Sequence, residues 1–141
     1  MRLLDTNILS LAMSADAAVM AQLAGVEPGQ AAISSVTYAE IRYGLARLRA
    51  RAEVGSNAGQ RKQELFERLL EHIEVLPWDL DAAAAYAEVR IACEADGQVL
   101  DQADLMILAH AASTGRSLVT RDAALLRRDR SAPHKTRVIG W

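Results

Sequence analysis

The segment Leu3-Leu4-Asp5-Thr6-Asn7-Ile8-Leu9 decides the fold class of this 141-residue chain. Two leucines make a short apolar run, an acid ends it, and two polar residues lead into apolar positions at helical spacing. This pattern predicts a buried strand that delivers a carboxylate to its C-terminal end. In open α/β sheets, ligands bind outside the carboxyl ends of the strands. Asp5 is therefore the first candidate for a functional residue.

The alternation of short apolar runs with helical patterns continues along the chain. Further strands are predicted at residues 31–33, 74–76, 117–120 and 137–139, with helices between them and a turn over residues 55–59. Thr6 or Asn7 is expected to cap the first helix. Because strands separated by helices need crossover connections, the sheet should be mainly parallel, with helices on both faces in an α/β/α arrangement. Nothing divides the chain, so residues 1–141 are expected to form a single domain.

The composition describes a globular protein whose basic residues are unevenly distributed. Apolar residues make up 51% of the chain, the net charge is −2, and no Lys or Arg occurs between Leu3 and Ile41. A basic rim around an acidic centre suits a polyanionic substrate, although two solvated surfaces would give the same pattern. The single cysteine, Cys93, fits a reducing compartment and is expected to be buried. No apolar run approaches the roughly 20 residues of a membrane span, so a cytoplasmic location is expected.

Three further acids are predicted at the same sheet edge as Asp5. Glu40 lies in the first turns of the helix after the second strand, Asp104 in the first turn of a helix that begins near Asp101, and Asp122 directly after the fourth strand. Taken alone, each acid could simply stabilise a helix N-terminus. Together they would repel one another, and a divalent cation such as Mg²⁺, which prefers oxygen ligands and keeps bound waters, resolves that repulsion. The four acids therefore predict metal-dependent cleavage of a phosphodiester.

Polar neighbours of these acids are expected to support them. Thr6, Asn7 and Thr120 stand beside the acids in the sequence, and Asp101 is interpreted as a helix cap, with metal contact as the alternative. His110 follows Asp104 by six residues, or about 240° around a helix, so a packing role is expected for it.

Three arginines are candidates for contacts with the phosphates that flank the cut. Arg47 follows Glu40 by seven residues, on the same helix face, and Arg121 stands beside Asp122. Arg116 is the third candidate. Such contacts would offset the repulsion between the acids and a nucleic acid backbone.

Four segments of the chain carry a family resemblance, namely LLDTNIL with Asp5, ISSVTYAEIRYGL with Glu40 and the Tyr43-Gly44 pair, DLMILAHAASTGRSLVT with Asp104, and VTRDAAL with Thr120 and Asp122. In this order they resemble the PIN domain family, and specifically the VapC-type toxin ribonucleases of toxin–antitoxin pairs. The terminal RVIGW resembles the closing strand, so the resemblance spans essentially the whole chain. The family often has asparagine around the last acid, and Asp101 is not part of its core pattern.

The resemblance implies an endoribonuclease that depends on Mg²⁺ or Mn²⁺, with Asp5, Glu40, Asp104 and Asp122 as its metal-site acids. It also implies a homodimer and a cognate antitoxin that inserts a peptide near the site. The helices over residues 36–51 and 60–73 are expected to form the arm that accepts this antitoxin. A DNA nuclease with the same metal chemistry and a non-catalytic binding module remain as alternatives. An aspartyl phosphotransferase fits less well, because that chemistry usually needs a second Asp where Asn7 stands.

Overall fold

The computed structural model describes residues 1–51, 57–127 and 136–141. Its elements follow the order β1 (Arg2–Leu4), α1 (Thr6–Ala12), α2 (Ala17–Ala24), β2 (Ala31–Ser34), α3 (Ser35–Arg51), α4 (Ala58–Leu70), β3 (Glu74–Leu76), α5 (Leu80–Ala95), α6 (Gln102–Ser113), β4 (Ser117–Thr120), α7 (Ala123–Leu126) and β5 (Val138–Gly140).

The strands form one five-stranded sheet of order β3-β2-β1-β4-β5, and all four pairings are parallel. This confirms the parallel sheet predicted from the alternation of strands and helices. β1 occupies the centre, where Leu4 pairs with Ile33 of β2 and Val119 of β4. Asp5 therefore leaves the sheet between the C-terminal ends of two neighbouring strands.

Helices cover both faces of the sheet. Leu4 belongs to a buried cluster with side chains of α1, α3 and α4, whereas Leu3 belongs to a second cluster with side chains of α5 and α6. Successive residues of a strand point to opposite faces, so these two leucines anchor the two helical layers. Each such fully buried side chain stabilises the fold by about 1.5–3 kcal/mol. Cys93 packs in the second cluster at 2% exposure, which confirms its predicted burial.

Local details differ from the sequence predictions at several places, and one of them is the end of α4 at Leu70 rather than at residue 73. The cap of α1 is Asp5, because its backbone is extended and its carboxylate accepts the N–H of Thr6. Ala58 and Gly59 belong to α4 rather than to a turn, and a side chain at Gly59 would stand against α3. Of the predicted turn, only residue 57 is described outside a helix, and residues 55 and 56 lie outside the described residues. β5 begins one residue later than predicted, at Val138.

Within the described ranges, no single helix is long and apolar enough to cross a membrane. The pair α1 and α2 has the required length and composition, but the two helices are bent by 102° relative to each other.

Candidate functional site

The carboxylate of Asp5 is buried at the C-terminal edge of the sheet, with 2% of the residue exposed. Its Oδ1 accepts the N–H of Thr6 at 2.6 Å, and its Oδ2 accepts the hydroxyl of Thr120 at 2.6 Å. Burial raises the pKa of Asp5 above its usual value, these two hydrogen bonds oppose the increase, and the nearby charges of Glu40 and Asp122 add to it. The ionised form is thus disfavoured, and a bound cation would relieve this penalty.

The hydroxyl of Thr120 holds Asp5 in place. It accepts hydrogen bonds from the Nδ2 of Asn7 at 3.1 Å and from the backbone N–H of Asp122 at 2.9 Å. A hydroxyl has one proton and two acceptor positions, so its single proton must go to Asp5. The orientation of the Asn7 amide is fixed in turn, because its Oδ1 accepts the backbone N–H of Arg121 at 3.1 Å. Every member of this network therefore has a defined donor or acceptor role.

Glu40 and Asp122 reach the same edge from different helices. Glu40 accepts a hydrogen bond from the hydroxyl of Thr6 through its Oε2. Asp122 caps α7, where its Oδ1 accepts the backbone N–H of Ala124 at 2.6 Å and that of Leu125 at 3.1 Å. Asp122 therefore caps a helix, which was the simpler explanation of this acid, and only one of its two carboxylate oxygens takes part in the cap.

Asp104 occupies the first turn of α6, and burial together with the neighbouring acids raises its pKa to about 7. After burial, the contributing charges are those of Asp101, Asp5, Asp122 and Glu40, in that order. The structure therefore brings the four predicted acids within electrostatic reach of one another, and we call Asp5, Glu40, Asp104 and Asp122 the acid edge. Asp101 accepts the N–H of Asp104 at 2.8 Å, which confirms its predicted role as a helix cap.

The acid edge offers a cation only oxygen atoms as ligands. In the part of the chain that the structure describes, no group of three or more His, Cys, Asp or Glu side chains stands in a geometry that holds a metal ion. Mg²⁺ usually keeps several waters and takes only one or two carboxylates directly. The donors are all oxygen atoms, and two of the acids have raised pKa values. This chemistry suits a hard divalent cation that is bound partly through water.

A family model described as PIN domain matches residues 2–131. The chain belongs to the PIN domain family. It is 33% identical over 132 residues to the VapC ribonuclease Y4jK of Sinorhizobium fredii, covering 88% of this chain and 89% of the relative. It is 33% identical over 130 residues to Toxin FitB of Neisseria gonorrhoeae, and this match covers 86% of this chain and 88% of the relative. The fold is similar to a chain in the crystal structure of DNA-bound VapBC from Salmonella typhimurium, with a TM-score of 0.78 and 26% identity. The match covers 99% of this chain and 97% of that chain.

In this PIN domain, two of the three predicted arginines do not point to the acid edge. The guanidinium of Arg121 donates to the carboxylate of Asp16 at 3.3 Å and to the carbonyl of Trp141. Arg116 precedes β4 and so lies at the N-terminal edge of the sheet, about 13 Å from the acids if each strand residue rises roughly 3.3 Å. The structure therefore does not support Arg116 as a phosphate contact, because it stands at the wrong end of its strand.

Arg47 and His110 lie where their helical positions predicted. Arg47 is exposed on α3, with its guanidinium carbon 5.7 Å from the centre of the Tyr43 ring. His110 is 1% exposed, and its Nδ1 lies 2.9 Å from the hydroxyl oxygen of Ser34. Burial lowers the pKa of His110, which suits a neutral ring in the core of the PIN domain. Its predicted packing role is confirmed.

Beside the acid edge lies a groove of about 270 Å³ that sequence reasoning missed. It is lined by Thr6, Ser10, Met13, Glu40, Ile41, Gly44, Leu45, Leu48 and Lys62. Apart from Met13, which directly follows α1, these residues come from α1, α3 and α4, which only the folded sheet brings together. No local signal in the sequence marks Ser10 or Lys62 as neighbours of Glu40.

Proposed function

We propose that this PIN domain is a toxin endoribonuclease that acts in the cytoplasm and hydrolyses RNA phosphodiester bonds with a divalent cation, Mg²⁺ or Mn²⁺. The observation that carries the proposal is the acid edge, where burial and the neighbouring acids raise the pKa of Asp104 to about 7. Acids held at such an energetic cost are typical of a site that binds a cation. The similarity to the VapC ribonuclease Y4jK and to Toxin FitB supports RNA as the substrate and a toxin as the biological role.

The chain's own residues orient the acids before substrate arrives. Thr120 and Thr6 fix the two oxygens of Asp5, Thr6 also holds Glu40, and the first turn of α7 holds Asp122. A cation bound here would polarise the scissile phosphate and lower the pKa of a bound water. Since these side chains are already positioned, little reorganisation is needed when charge develops on the phosphate.

Basic side chains near the acid edge would hold the RNA backbone. Arg47 lies on α3 two turns beyond Glu40, and Lys62 lines the groove beside Glu40. Both are proposed to contact phosphates outside the cut. Arg121 can join them only by leaving its exposed ion pair with Asp16, and such surface pairs stabilise by about 1 kcal/mol at most.

The groove beside the acid edge is the proposed seat of a peptide from a cognate antitoxin. Its floor contains Met13, Ile41 and Leu45, while Glu40 and Lys62 supply opposite charges. A segment bound there would approach Glu40 and obstruct substrate. The arm predicted from the sequence corresponds to α3 and α4, whose residues supply most of the lining. Similarity to the VapBC complex supports such a partner.

A two-fold dimer is also proposed, through the outer face of α5. Leu80 is 86% exposed and Ile91 is 67% exposed, with the exposed Ala84 and Ala87 between them. These four residues recur at helical spacing and form one apolar line, which we call the α5 stripe. The opposite face of α5 packs into the core through Val89 and its neighbours. A self-complementary contact through the stripe would remove its apolar surface from water.

Cleavage assays on matched labelled RNA and DNA, with Mg²⁺ and with EDTA, test the proposed function. RNA should be cut only with the cation, and Asp5→Asn should abolish cutting while circular dichroism shows a folded protein. Asp79→Asn is the matched control, because Asp79 also caps a helix but does not belong to the acid edge. Cleavage of DNA alone would indicate a DNA nuclease. No cleavage of either substrate would indicate a binding module, and full activity of Asp5→Asn would refute the metal site.

A further inference from the structure

Tyr43 is a large aromatic side chain on the helix that carries Glu40, and it is 66% exposed. It follows Glu40 by three residues, less than one helical turn, and so stands about 4.5 Å further along α3. The guanidinium carbon of Arg47 lies 5.7 Å from the centre of its ring. The Tyr43-Gly44 pair is part of a segment that carries the family resemblance, yet the proposed function gives the ring no role.

The face of α3 that carries Tyr43 is turned towards α6. Val36 precedes Tyr43 by seven residues and therefore shares its face. Val36 packs against the cluster that contains Leu105 and Leu108 of α6. α6 also carries Asp104 in its first turn. Tyr43 thus continues the α6 side of α3, two turns beyond Val36 and next to the acid edge.

The chemistry around the ring suits a nucleobase. Single-stranded RNA is commonly held by bases that stack on exposed aromatic rings or on arginine planes. Arg47 adds a positive charge against the ring. An antitoxin peptide is better matched by the groove on the other side of Glu40, which contains the apolar side chains of Met13, Ile41 and Leu45. The basic surroundings of Tyr43 favour RNA over a peptide.

We propose that Tyr43, supported by Arg47, stacks on the base of a nucleotide next to the scissile phosphate and so positions the RNA over the acid edge. The inference rests on the proposed ribonuclease function. Stacking is available to every base, so Tyr43 is a positioning residue and does not select the sequence. Its contact adds to phosphate contacts, which fix the backbone but not the base.

The test combines Tyr43 variants with RNA that lacks one base. The cleavage position is first mapped on the wild-type protein, and one abasic nucleotide is then placed directly 5′ or directly 3′ of it, or at a remote position. Affinities are measured in EDTA by fluorescence anisotropy, and kcat/KM is measured with Mg²⁺. An abasic nucleotide at one adjacent position should weaken wild-type binding about tenfold, and the remote one should not.

Tyr43→Ala should bind intact RNA about tenfold more weakly than the wild type. The adjacent abasic nucleotide should not weaken its binding further, because both changes remove the same contact. Tyr43→Phe should bind like the wild type, while Tyr43→Leu should bind like Tyr43→Ala. Met20→Ala is the matched control, since Met20 is an exposed apolar residue on α2 rather than on α3.

The following results would overturn the inference. If Tyr43→Ala binds intact RNA like the wild type, the ring does not contact RNA. If the variant and the abasic site weaken RNA affinity independently of each other, the ring and the missing base do not contact each other. A Tyr43→Ala protein that loses its antitoxin or its dimer but keeps RNA affinity assigns the ring to a protein interface. If the wild type cleaves RNA but ignores both adjacent abasic sites, only this inference fails. If the wild type neither binds nor cleaves RNA, the proposed function fails as well.

Discussion

Thr120 is the residue on which the geometry of Asp5 depends most. It is fully buried and takes part in three hydrogen bonds at once. Replacement by Val keeps the shape but leaves groups of Asp5, Asn7 and Asp122 without this partner. An unsatisfied buried polar group costs about 1–3 kcal/mol, so the free energy of unfolding should fall by at least about that amount.

The cleavage rate of Thr120→Val should fall by about 10- to 100-fold, because Asp5 loses its fixed orientation. Thr120→Ser keeps the hydroxyl and should retain most of both properties. Denaturant unfolding and initial cleavage rates measure the two effects. A Val variant that is less stable but cleaves at the wild-type rate would show that the network supports the fold alone.

Asp104 should make the stability of the metal-free protein depend on pH. Its pKa rises from 3.8 to about 7 on folding. Between these values the folded state holds more protons than the unfolded state, so stability should fall as pH rises through this window and level off above it. Asp104→Asn should reduce the dependence of stability on pH. The dependence that remains should come from Asp5, whose pKa is also raised. Thermal unfolding in EDTA from about pH 4 to about pH 8 measures this, and Mg²⁺ should raise Tm most at the alkaline end. Equal slopes for the two proteins would contradict the assignment.

The sequence predicted the positions of the acids better than the directions of the arginines. Acids that follow a strand or begin a helix are placed by the backbone, so sheet topology is enough to bring them together. An arginine side chain is long, and its direction depends on partners that are remote in sequence. Arg121 is held by Asp16, which is 105 residues away. The prediction for Arg116 has a different weakness. Arg116 directly precedes β4, so the sequence already placed it at the N-terminal edge of the sheet, opposite the acid edge.

At the scale of elements, α3 separates two surfaces. One side lines the groove through Gly44 and Leu48, and the other carries Tyr43 and Arg47. The start of α3 was predictable because its signal is local: the hydroxyl of Ser34 accepts the N–H of Val36. The relation of α3 to α1 and α4 was not predictable, because the sheet fixes that relation.

Gly44 offers a test of the groove as the antitoxin seat. A Cβ added at this position meets no atom within 4 Å, so a side chain can start here without a clash and extend into the groove that Gly44 lines. Gly44→Leu should keep the fold and weaken antitoxin affinity by at least about tenfold, because it fills the space that the peptide would occupy. Isothermal titration calorimetry measures the affinity. Ala46→Leu, on an exposed position of the same helix, is the matched control. Equal affinities for the two variants would place the antitoxin elsewhere.

At the scale of the whole molecule, the exposed α5 stripe was the feature least visible in the sequence. An alanine-rich helix with apolar residues on several sides resembles a helix buried all round. The order of the strands was also open, because crossover connections predict parallel pairing but not which strands are neighbours. Only the packed structure shows that α5 covers one face of the sheet and leaves its outer line uncovered.

The proposed dimer predicts that charge on the α5 stripe prevents self-association. Ile91→Glu should shift the protein from dimer to monomer at micromolar concentration, since two carboxylates would be buried across the two-fold axis. Light scattering measures the mass. Met20→Glu places the same charge on an exposed apolar position of α2 and should leave the dimer intact. A wild-type protein that is monomeric would contradict the dimer, and a dimeric Ile91→Glu variant would contradict this interface.

The central position of β1 has a consequence for the order in which the protein is made. Thr120 follows Asp5 by 115 residues, and β1 has β4 as one of its two neighbours. A ribosome therefore releases β1 long before β4 exists, and contacts between such distant segments form late in folding. Until β4 pairs with β1, Asp5 has neither the hydroxyl of Thr120 nor the charge of Asp122 beside it. The growing chain therefore cannot form a complete acid edge, and with it the proposed nuclease site, until β4 has emerged.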